Sequence, residues 1–281
     1  MSSKQIQENV KSGYADIVKR NTKNPFLSNI FQCCDPKEIA NDIGKKIGYS
    51  EEELKNVPQD ANLGIGCGNP TALASIKKGE TILDLGSGAG FDCFLASKET
   101  GATGKVIGVD ITPEMVAQAK KNAEKGSYKN LEFKVGEIEN LPIENNSVDL
   151  IISNCVINLS HQKERVFKEA YRVAKPDGRI MISDIILLND LPDYVKNSVE
   201  GHIACLAGAV RKEHYIEAIS KAGFTDIKID KQAPFPIELM LNDPIAEKIV
   251  KENNLKEEDV EKIAGSIASI SISAKKPHNE S

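Results

Sequence analysis

Short apolar runs rich in β-branched residues alternate with helical segments between residues 81 and 186. Apolar side chains fill these runs almost continuously instead of at every second position, which is typical of parallel strands covered on both faces. Alternating strands and helices of this kind predict an α/β domain built on a parallel sheet. The predicted strands are 81–86, 105–111, 131–137, 148–154 and 179–186, with helices at 91–99, 113–125 and 161–174.

The two ends of the chain extend this pattern. Residues 4–20 and 36–55 carry helical apolar spacing, broken by "TKNPF" and "KKIGYS", which predicts an N-terminal helical arm. A helix over 211–224 and strands at 225–230 and 266–275 follow the core, and the Ile/Ser alternation of the last strand predicts an edge or antiparallel position with one wetter face. We therefore expect an arm with a cysteine-bearing lid over 1–70, a core over 71–230, and an extension over 231–281 that adds the final strand.

Charge and composition limit the classes of partner and the cellular location that we expect for this chain. The net charge is −5 and the basic residues are scattered, which argues against nucleic acid or an anionic membrane as a main partner. No run approaches the roughly 18 apolar residues that a membrane span needs, and the polar start lacks the apolar core of a signal peptide. We expect a cytoplasmic protein whose cysteines are reduced and available for catalysis or metal binding. These cysteines are Cys33, Cys34, Cys67, Cys93, Cys155 and Cys205.

The first predicted strand ends in "DLGSGAGFD", residues 84–92, where glycines let the backbone turn sharply and approach a ligand. A dinucleotide site favours G-x-G-x-x-G, but here the spacing is G-x-G-x-G and Phe91 stands where the third dinucleotide glycine would fall. The carboxylate of Asp84 is poorly matched to pyrophosphate and suits a cationic ligand. S-adenosylmethionine, with its α-amino group and sulfonium, is such a ligand.

Acidic residues also follow the next two strands. Asp110 is placed to bind ribose hydroxyls, and Glu137 and Glu139 could meet the adenine edge. The alternative is structural, with Asp84 capping the turn and Asp110 capping the helix that opens at Pro113; three suitable strand ends in succession favour the cofactor. The candidate cofactor-binding residues are Asp84, Gly86, Ser87, Gly88, Gly90, Asp110, Ile111, Met115, Gly136, Glu137, Ile138, Glu139 and Asn154.

These residues resemble the pattern of class I S-adenosylmethionine-dependent methyltransferases. That pattern, an acidic residue, G-x-G-x-G and an acidic second-strand end, appears here as Asp84, Gly86, Gly88, Gly90 and Asp110. The resemblance implies an α/β, Rossmann-like fold with a seven-stranded, mostly parallel sheet whose last strand is antiparallel.

The fourth strand leads into "SNCVINLS", residues 153–160, where this fold presents the methyl acceptor. Many methyltransferases need a general base there, but the loop offers asparagines, a histidine and the thiol of Cys155, and no carboxylate or lysine. Two further cysteines could meet it. Cys67 lies between glycines in "GIGCGNP", and Cys205 lies in "EGHIACLAGAV" after the fifth strand.

Three converging thiols would suit a soft, thiophilic centre, although a single cysteine is more often a small buried apolar residue, as we expect for Cys93. The absence of a C-x-x-C pair disfavours a structural zinc site. Trivalent arsenic bound by three sulfurs keeps a lone pair that could attack a sulfonium methyl without a general base. His161 and His202 lie near the cysteines and are weaker candidates.

Several stretches together resemble the arsenite S-adenosylmethyltransferases, over roughly residues 10–230 and again at "SIASISISAKKP". The most specific are "GCGNPTAL", "SNCVINLS" and "CLAGAV". The resemblance implies that Cys67, Cys155 and Cys205 bind As(III) as arsenite or methylarsenite. It also implies an N-terminal cysteine, Cys33 or Cys34, that forms a disulfide with the first binding cysteine, and a thiol reductant such as thioredoxin or glutathione.

Two other functions compete with arsenite methylation. A methyltransferase for a small organic acceptor, such as a quinone or sterol carbon, would need an aromatic-lined pocket, yet aromatic residues make up 5% of the chain and tryptophan is absent. A thiol-based arsenic or metal sensor without turnover would have no use for Asp84 and Asp110.

Overall fold

The computed structural model describes residues 3–23, 36–196, 206–235, 250 and 255–278, and the described strands form one sheet. The strands are β1 (Thr81–Leu85), β2 (Lys105–Asp110), β3 (Leu131–Val135), β4 (Val148–Asn154), β5 (Ala174–Leu187), β6 (Val210–Arg211), β7 (Thr225–Pro234) and β8 (Ile267–Lys275). Their order is β3-β2-β1-β4-β5-β8-β7, with β6 paired to β5 off this path.

The pairing confirms the predicted sheet. Strands β3, β2, β1, β4 and β5 are parallel neighbours, whereas β8 runs antiparallel to both β5 and β7. The sheet thus contains the seven predicted strands, mostly parallel with an antiparallel last strand, and an eighth, the two-residue β6, that the sequence did not indicate. β7 continues past residue 230 to Pro234.

Two-sided burial explains the continuous apolar runs. Successive residues Ile82 and Leu83 of β1 point to opposite faces, and both are fully buried. Leu83 packs in one cluster with Val109, and Ile82 packs in another with Phe94. A strand covered on both faces leaves no position where a polar side chain would be solvated.

The last strand, β8, was expected at an edge of the sheet or in an antiparallel position, and only the second expectation is confirmed. It is antiparallel, but it lies between β5 and β7 and is not an edge strand. Ser271 is buried and its hydroxyl lies 3.2 Å from that of Ser183, while the Ser269 hydroxyl donates to the carbonyl of Cys67. The serine face of β8 is thus covered by the loop that carries Cys67.

Helices flank the sheet and form the N-terminal arm. They are α1 (Ser3–Lys23), α2 (Pro36–Ile47), α3 (Glu51–Lys55), α4 (Pro70–Leu73), α5 (Phe91–Thr100), α6 (Pro113–Lys125), α7 (Lys163–Val173), α8 (Asp193–Lys196), α9 (Lys212–Lys221) and α10 (Glu257–Ala264). None of the helices in the described ranges has the length and apolar character that a bilayer crossing requires.

The helical segment predicted over 36–55 is divided at the expected break, "KKIGYS". Gly48 has a φ of +112°, a conformation that favours glycine, and α2 ends beside it. Ser50 then starts α3 through a capping box, in which its hydroxyl accepts from the Glu53 N–H and the Glu53 carboxylate accepts from the Ser50 N–H. Between the two helices the chain turns inward and buries Tyr49.

An ion pair joins the segment before β1 to β5. Arg179 donates to both carboxylate oxygens of Glu80, at 2.6 and 2.9 Å, and also to the carbonyls of Ala74 and Ser75. The side chains of Arg179 and Glu80 are only 19% and 11% exposed. The pair therefore holds the start of β1 against the centre of the sheet.

We expect Glu80→Gln to lower the free energy of unfolding by about 2 kcal/mol, between the values for exposed and fully buried ion pairs, because Arg179 keeps its charge opposite a neutral partner. Glu132→Gln is the matched control. Glu132 pairs with Lys105 at 2.7 Å, but the two side chains are 39% and 52% exposed, so the expected loss is under about 1 kcal/mol. Urea unfolding measures both, and equal losses would contradict the assignment.

Candidate active site

The loops after β1, β2, β4 and β5 meet at the carboxyl edge of the sheet. The strand order reverses between β1 and β4, which places the loops after these two strands on either side of a crevice where ligands of open α/β sheets bind. The glycine loop follows β1, and the stretch "SNCVINLS" begins at the end of β4.

The glycine loop is shaped by backbone conformations that side chains disfavour. Gly86, Gly88 and Gly90 have φ angles of +67°, +52° and +95°. A Cβ on Gly86 would lie 2.3 Å from Cγ2 of Val156, so this glycine lets the residue next to Cys155 approach the loop directly. The glycine loop and the cysteine-bearing loop are therefore in contact.

Asp110 anchors the glycine loop to the end of β2. One of its carboxylate oxygens accepts from the Gly88 N–H at 2.9 Å and the other from the Thr112 N–H at 2.8 Å. Thr112 is itself the N-cap residue of α6, so Asp110 fixes the turn between β2 and α6 and does not cap the helix as the structural alternative expected. A carboxylate offers about four acceptor sites, so ribose hydroxyls can still bind. Burial raises the pKa of Asp110 above its usual range.

Asp84 is a buried carboxylate whose hydrogen bond comes from a thiol. The Cys93 Sγ donates to it at 3.2 Å, so Cys93 lies in the core as expected but also contacts the site. Burial, and then the charge of Asp92, raises the pKa of Asp84 well above its usual value. Nearby, Ser87 Oγ is buried and has no hydrogen-bond partner among the described residues. Both groups would be better satisfied by a bound ligand.

The other predicted cofactor residues have mixed surroundings. Met115 and Ile138 are buried, while Ile111 and Gly136 are half-buried. Glu137 is exposed, and Glu139 is half-buried and accepts a hydrogen bond from Ser160. Met115 lies in the first turn of α6, and the others directly follow β2 or β3.

Asn154 is the point where the two halves of the site are joined. Its Oδ1 accepts from the Cys67 N–H at 3.0 Å, and its Nδ2 donates to the Gly68 carbonyl at 2.9 Å. The same Nδ2 lies 3.0 Å from the Tyr49 hydroxyl and 3.2 Å from a carboxylate oxygen of Asp92, and Tyr49 donates to the other oxygen at 2.7 Å. Asn154 thus connects the Cys67 loop to Tyr49 and Asp92, and its contact with the cofactor stays a prediction.

Tyr49 and Asp92 were not found from the sequence. Tyr49 is separated from the motifs by the whole of α3 and α4, and Asp92 reads as an ordinary first-turn residue of α5. Burial raises the pKa of Asp92 to about 6, while the hydrogen bonds from Tyr49 and Asn154 act in the opposite direction.

Cys67 and Cys155 come together beside a third residue, Asp184. The two Sγ atoms and a carboxylate oxygen of Asp184 all lie within 4.8 Å of one another. The Cys67 loop lies directly on β5, where a Cβ on Gly68 would be 2.7 Å from Ser183. Cys155 has a φ of +61° and donates its N–H to the Ser183 carbonyl at 2.8 Å. Both loops are thus attached to one residue of β5.

Four sequence-derived candidates, Cys33, Cys34, Cys205 and His202, lie outside the described residues. The chain next to Cys205 does reach the site. Leu206 is buried in the same apolar cluster as Cys67, with Cys155 packed against it. A Cβ on Gly208 would lie 1.8 Å from the Asn158 carbonyl oxygen, so "CLAGAV" and "SNCVINLS" are in direct contact. His161 is exposed at the start of the following segment.

Asp184 is a fully buried acid that the sequence did not single out, because "MISDII" reads as continuous strand. One oxygen accepts from Asn158 Nδ2 and the Ile185 N–H, at 2.8 and 2.9 Å, and the other accepts from the Tyr215 hydroxyl at 2.9 Å. Burial raises the pKa of Asp184 to about 6, although these hydrogen bonds and the charge of Lys163 oppose the rise. Burial, followed by the charge of Asp184, also raises the pKa of Tyr215.

Comparison with known proteins identifies this arrangement. Residues 76–227 match the family model described as a methyltransferase domain. The chain belongs to this methyltransferase family. The match covers the segments from the residues before β1 into β7, and so includes the glycine loop and the loop of Cys155.

Within this family the chain is similar to proteins named arsenite methyltransferase. It is 45% identical over 197 residues to that of Halobacterium salinarum, covering 70% of this chain and 50% of that protein. It is 34% identical over 230 residues to that of Homo sapiens, covering 78% of this chain and 58% of that protein. The chain thus spans about half to three-fifths of the length of these relatives.

Comparison with solved structures gives the same similarity. The arsenic(III) S-adenosylmethionine methyltransferase of Chlamydomonas reinhardtii superposes with a TM-score of 0.59 and 31% identity, covering 87% of this chain and 74% of that one. The YcgJ protein of a Bacillus species, with a TM-score of 0.58 at 20% identity, shares the fold.

The raised pKa of Asp184 predicts a specific pH dependence of stability. Since the folded-state pKa of about 6 exceeds the ordinary 3.8, the protonated acid stabilises the folded protein below about pH 4, and this stability is lost as pH rises through 6. We expect the unfolding free energy of Asp184→Asn, minus that of the unchanged protein, to increase by roughly 2.5 kcal/mol from pH 4 to pH 7. Urea unfolding at several pH values measures it, and a pH-independent difference would contradict the shift.

Proposed function

We propose that this chain transfers methyl groups from S-adenosylmethionine to trivalent arsenic held by cysteine sulfurs. The observation that carries the proposal is the close approach of Cys67 and Cys155, which come from distant loops, beside the glycine loop. Relatives named arsenite methyltransferase support it. Methylation of a quinone or sterol carbon gives no reason for two thiols to meet at this position.

The residues around the glycine loop fit S-adenosylmethionine. Ser87 Oγ is a buried polar atom without a partner among the described residues, and a Cβ on Gly88 would meet only Met115 Sδ, at 3.9 Å, so this glycine leaves open space beside the loop. The buried carboxylate of Asp84 accepts a hydrogen bond from the Cys93 thiol, which is a weak donor. A ligand that brings a positively charged amino group would satisfy Asp84 better than a phosphate would.

Each carboxylate would hold a different part of the donor. S-adenosylmethionine, when bound, supplies an electrophilic methyl group on a positively charged sulfur. Asp84 would bind its α-amino group and Asp110 its ribose hydroxyls. Glu137 and Glu139 would lie at the adenine edge, and the other cofactor candidates stay predictions. Because Asp84, Asp92 and Asp110 are buried, a cation nearby would favour their ionised forms.

The thiols would position the acceptor. Cys67, Cys155 and Cys205 would each replace a hydroxyl of arsenite, releasing water and holding arsenic in a sulfur pyramid. The arsenic lone pair is then the nucleophile. Since a lone pair carries no proton to remove, the absence of lysine and carboxylate from "SNCVINLS" is consistent with this acceptor.

Turnover would also need reduction. A methyl group added to the arsenic lone pair raises arsenic from the trivalent to the pentavalent state, and two electrons must return it. We propose that Cys33 or Cys34 forms a disulfide with Cys67 at this stage, and that thioredoxin or glutathione reduces it. A cytoplasmic location, as expected from the sequence, would supply these thiols.

We expect Cys67→Ser, Cys155→Ser and Cys205→Ser each to reduce methylation of arsenite by at least about 100-fold, because a hydroxyl is a poor ligand for a soft centre. The affinity for S-adenosylmethionine should stay within about twofold. Separation of arsenic species after incubation with labelled donor and a thiol measures turnover, and calorimetry measures donor binding. Cys93→Ser, which keeps a donor for Asp84, should retain As(III) binding. Full activity in all three variants would leave only an unassigned methyltransferase.

We expect Asp110→Asn to weaken S-adenosylmethionine binding about tenfold or more, because the charged acceptor for the ribose and for the Gly88 N–H is lost. Arsenite binding, measured by the ultraviolet absorption of the arsenic–thiolate bonds, should not change. Asp226→Asn, at an exposed position, is the control for the substitution itself. An unchanged donor affinity in Asp110→Asn would contradict the role of Asp110.

A further inference from the structure

The buried carboxylate of Asp184 beside the two thiols has no part in arsenic methylation as proposed. Its oxygen lies within 4.8 Å of both Cys67 Sγ and Cys155 Sγ. Trivalent arsenic bound through sulfur gains little from a carboxylate, because soft centres select thiolates. Two thiolates and one carboxylate oxygen are instead a donor set for a borderline divalent cation such as Zn²⁺.

The spacing of the three donors suits such an ion. Zinc–sulfur bonds of about 2.3 Å in a tetrahedral site place two sulfurs roughly 3.7 Å apart. The donor atoms here already lie within 4.8 Å of one another. Side-chain rotations that move each of these atoms by about 1 Å would bring them to the separation that one ion requires. No regular C-x-x-C pair is required, because β5 brings the two loops together through Ser183.

The surroundings of Asp184 resemble the second layer of a metal site. Its carboxylate is held by the Tyr215 hydroxyl, by Asn158 Nδ2 and by the Ile185 N–H. Carboxylates that bind metals are usually held by hydrogen bonds of this kind, which fix their orientation. Asn158 Oδ1, also buried, has no partner among the described residues and could accept from a water on the cation.

We propose that Cys67, Cys155 and Asp184 form a site for a thiophilic divalent cation, Zn²⁺ or Cd²⁺, and that this cation and trivalent arsenic exclude each other. On binding, the two thiols release their protons to solvent, and the three negative ligands leave one net negative charge around the ion. Lys163, whose charge acts on Asp184, offsets it. The inference does not depend on methyl transfer.

Cadmium titration of the full, reduced chain without methyl donor tests the site, using sulfur-to-cadmium charge-transfer absorption and calorimetry. We expect one Cd²⁺ per chain with this absorption. Affinity should fall at least about tenfold in Asp184→Asn, while As(III) affinity should stay within about twofold. The Cys155→Ser variant should bind neither Cd²⁺ nor As(III). Prior loading of the unchanged chain with Cd²⁺ should block As(III) binding.

Two further variants keep the test decisive. Asp226→Asn controls for an Asp-to-Asn change on the surface and should bind Cd²⁺ normally. If Asp184→Asn does not fold, Tyr215→Phe keeps the carboxylate but removes one hydrogen bond to it, and should weaken Cd²⁺ severalfold without affecting As(III). Cadmium affinity unchanged in Asp184→Asn, or in Tyr215→Phe where that variant replaces it, would show a thiol-only site, and simultaneous binding of Cd²⁺ and As(III) would show separate sites. Either result overturns the proposal.

Discussion

The hydrogen bonds of the Asn154 side chain hold the site together. The Cys67 loop has no regular secondary structure between Asn62 and Asn69 and contains three glycines, so its conformation depends on contacts with the strands beneath it. Asn154 supplies an acceptor for the Cys67 N–H and a donor for the Gly68 carbonyl. Each such bond contributes about 1 kcal/mol, but leaving a buried partner unsatisfied costs more. The loop is therefore held by β4 through Asn154, in addition to its contacts with Ser183 of β5 and Ser269 of β8.

The same side chain connects the arm to the glycine loop. Tyr49 lies between α2 and α3, and its hydroxyl donates to Asp92 at the start of α5 while lying next to Asn154. A network of this kind is strong when complete and costly when one member is removed, because the surrounding dielectric is low. Placement of a thiol and placement of the donor loop consequently depend on one another.

Charge separates the two halves of the site. The glycine loop is surrounded by Asp84, Asp92 and Asp110, whose burial raises their pKa values and leaves them in need of a positive partner. In the part of the chain that the structure describes, the acid beside the cysteines is Asp184, already bound by Tyr215 and Asn158. The carboxylates around the glycine loop favour a cationic methyl donor, whereas thiolates favour a soft methyl acceptor. Each ligand would therefore bind to its own half of the site because of its chemistry as well as its shape.

Local sequence determined the sheet and the glycine loop. Continuous β-branched runs such as 148–154 are stable only when both faces are covered, and a G-x-G-x-G turn after an acidic residue requires backbone conformations that other residues disfavour. Tertiary structure alone decided that β8 lies inside the sheet, that Asn154 connects the two halves, and that Asp184 stands beside Cys67 and Cys155. These features arise from contacts between residues far apart in the chain, and the periodicity of a strand carries no information about which distant loop will cover it.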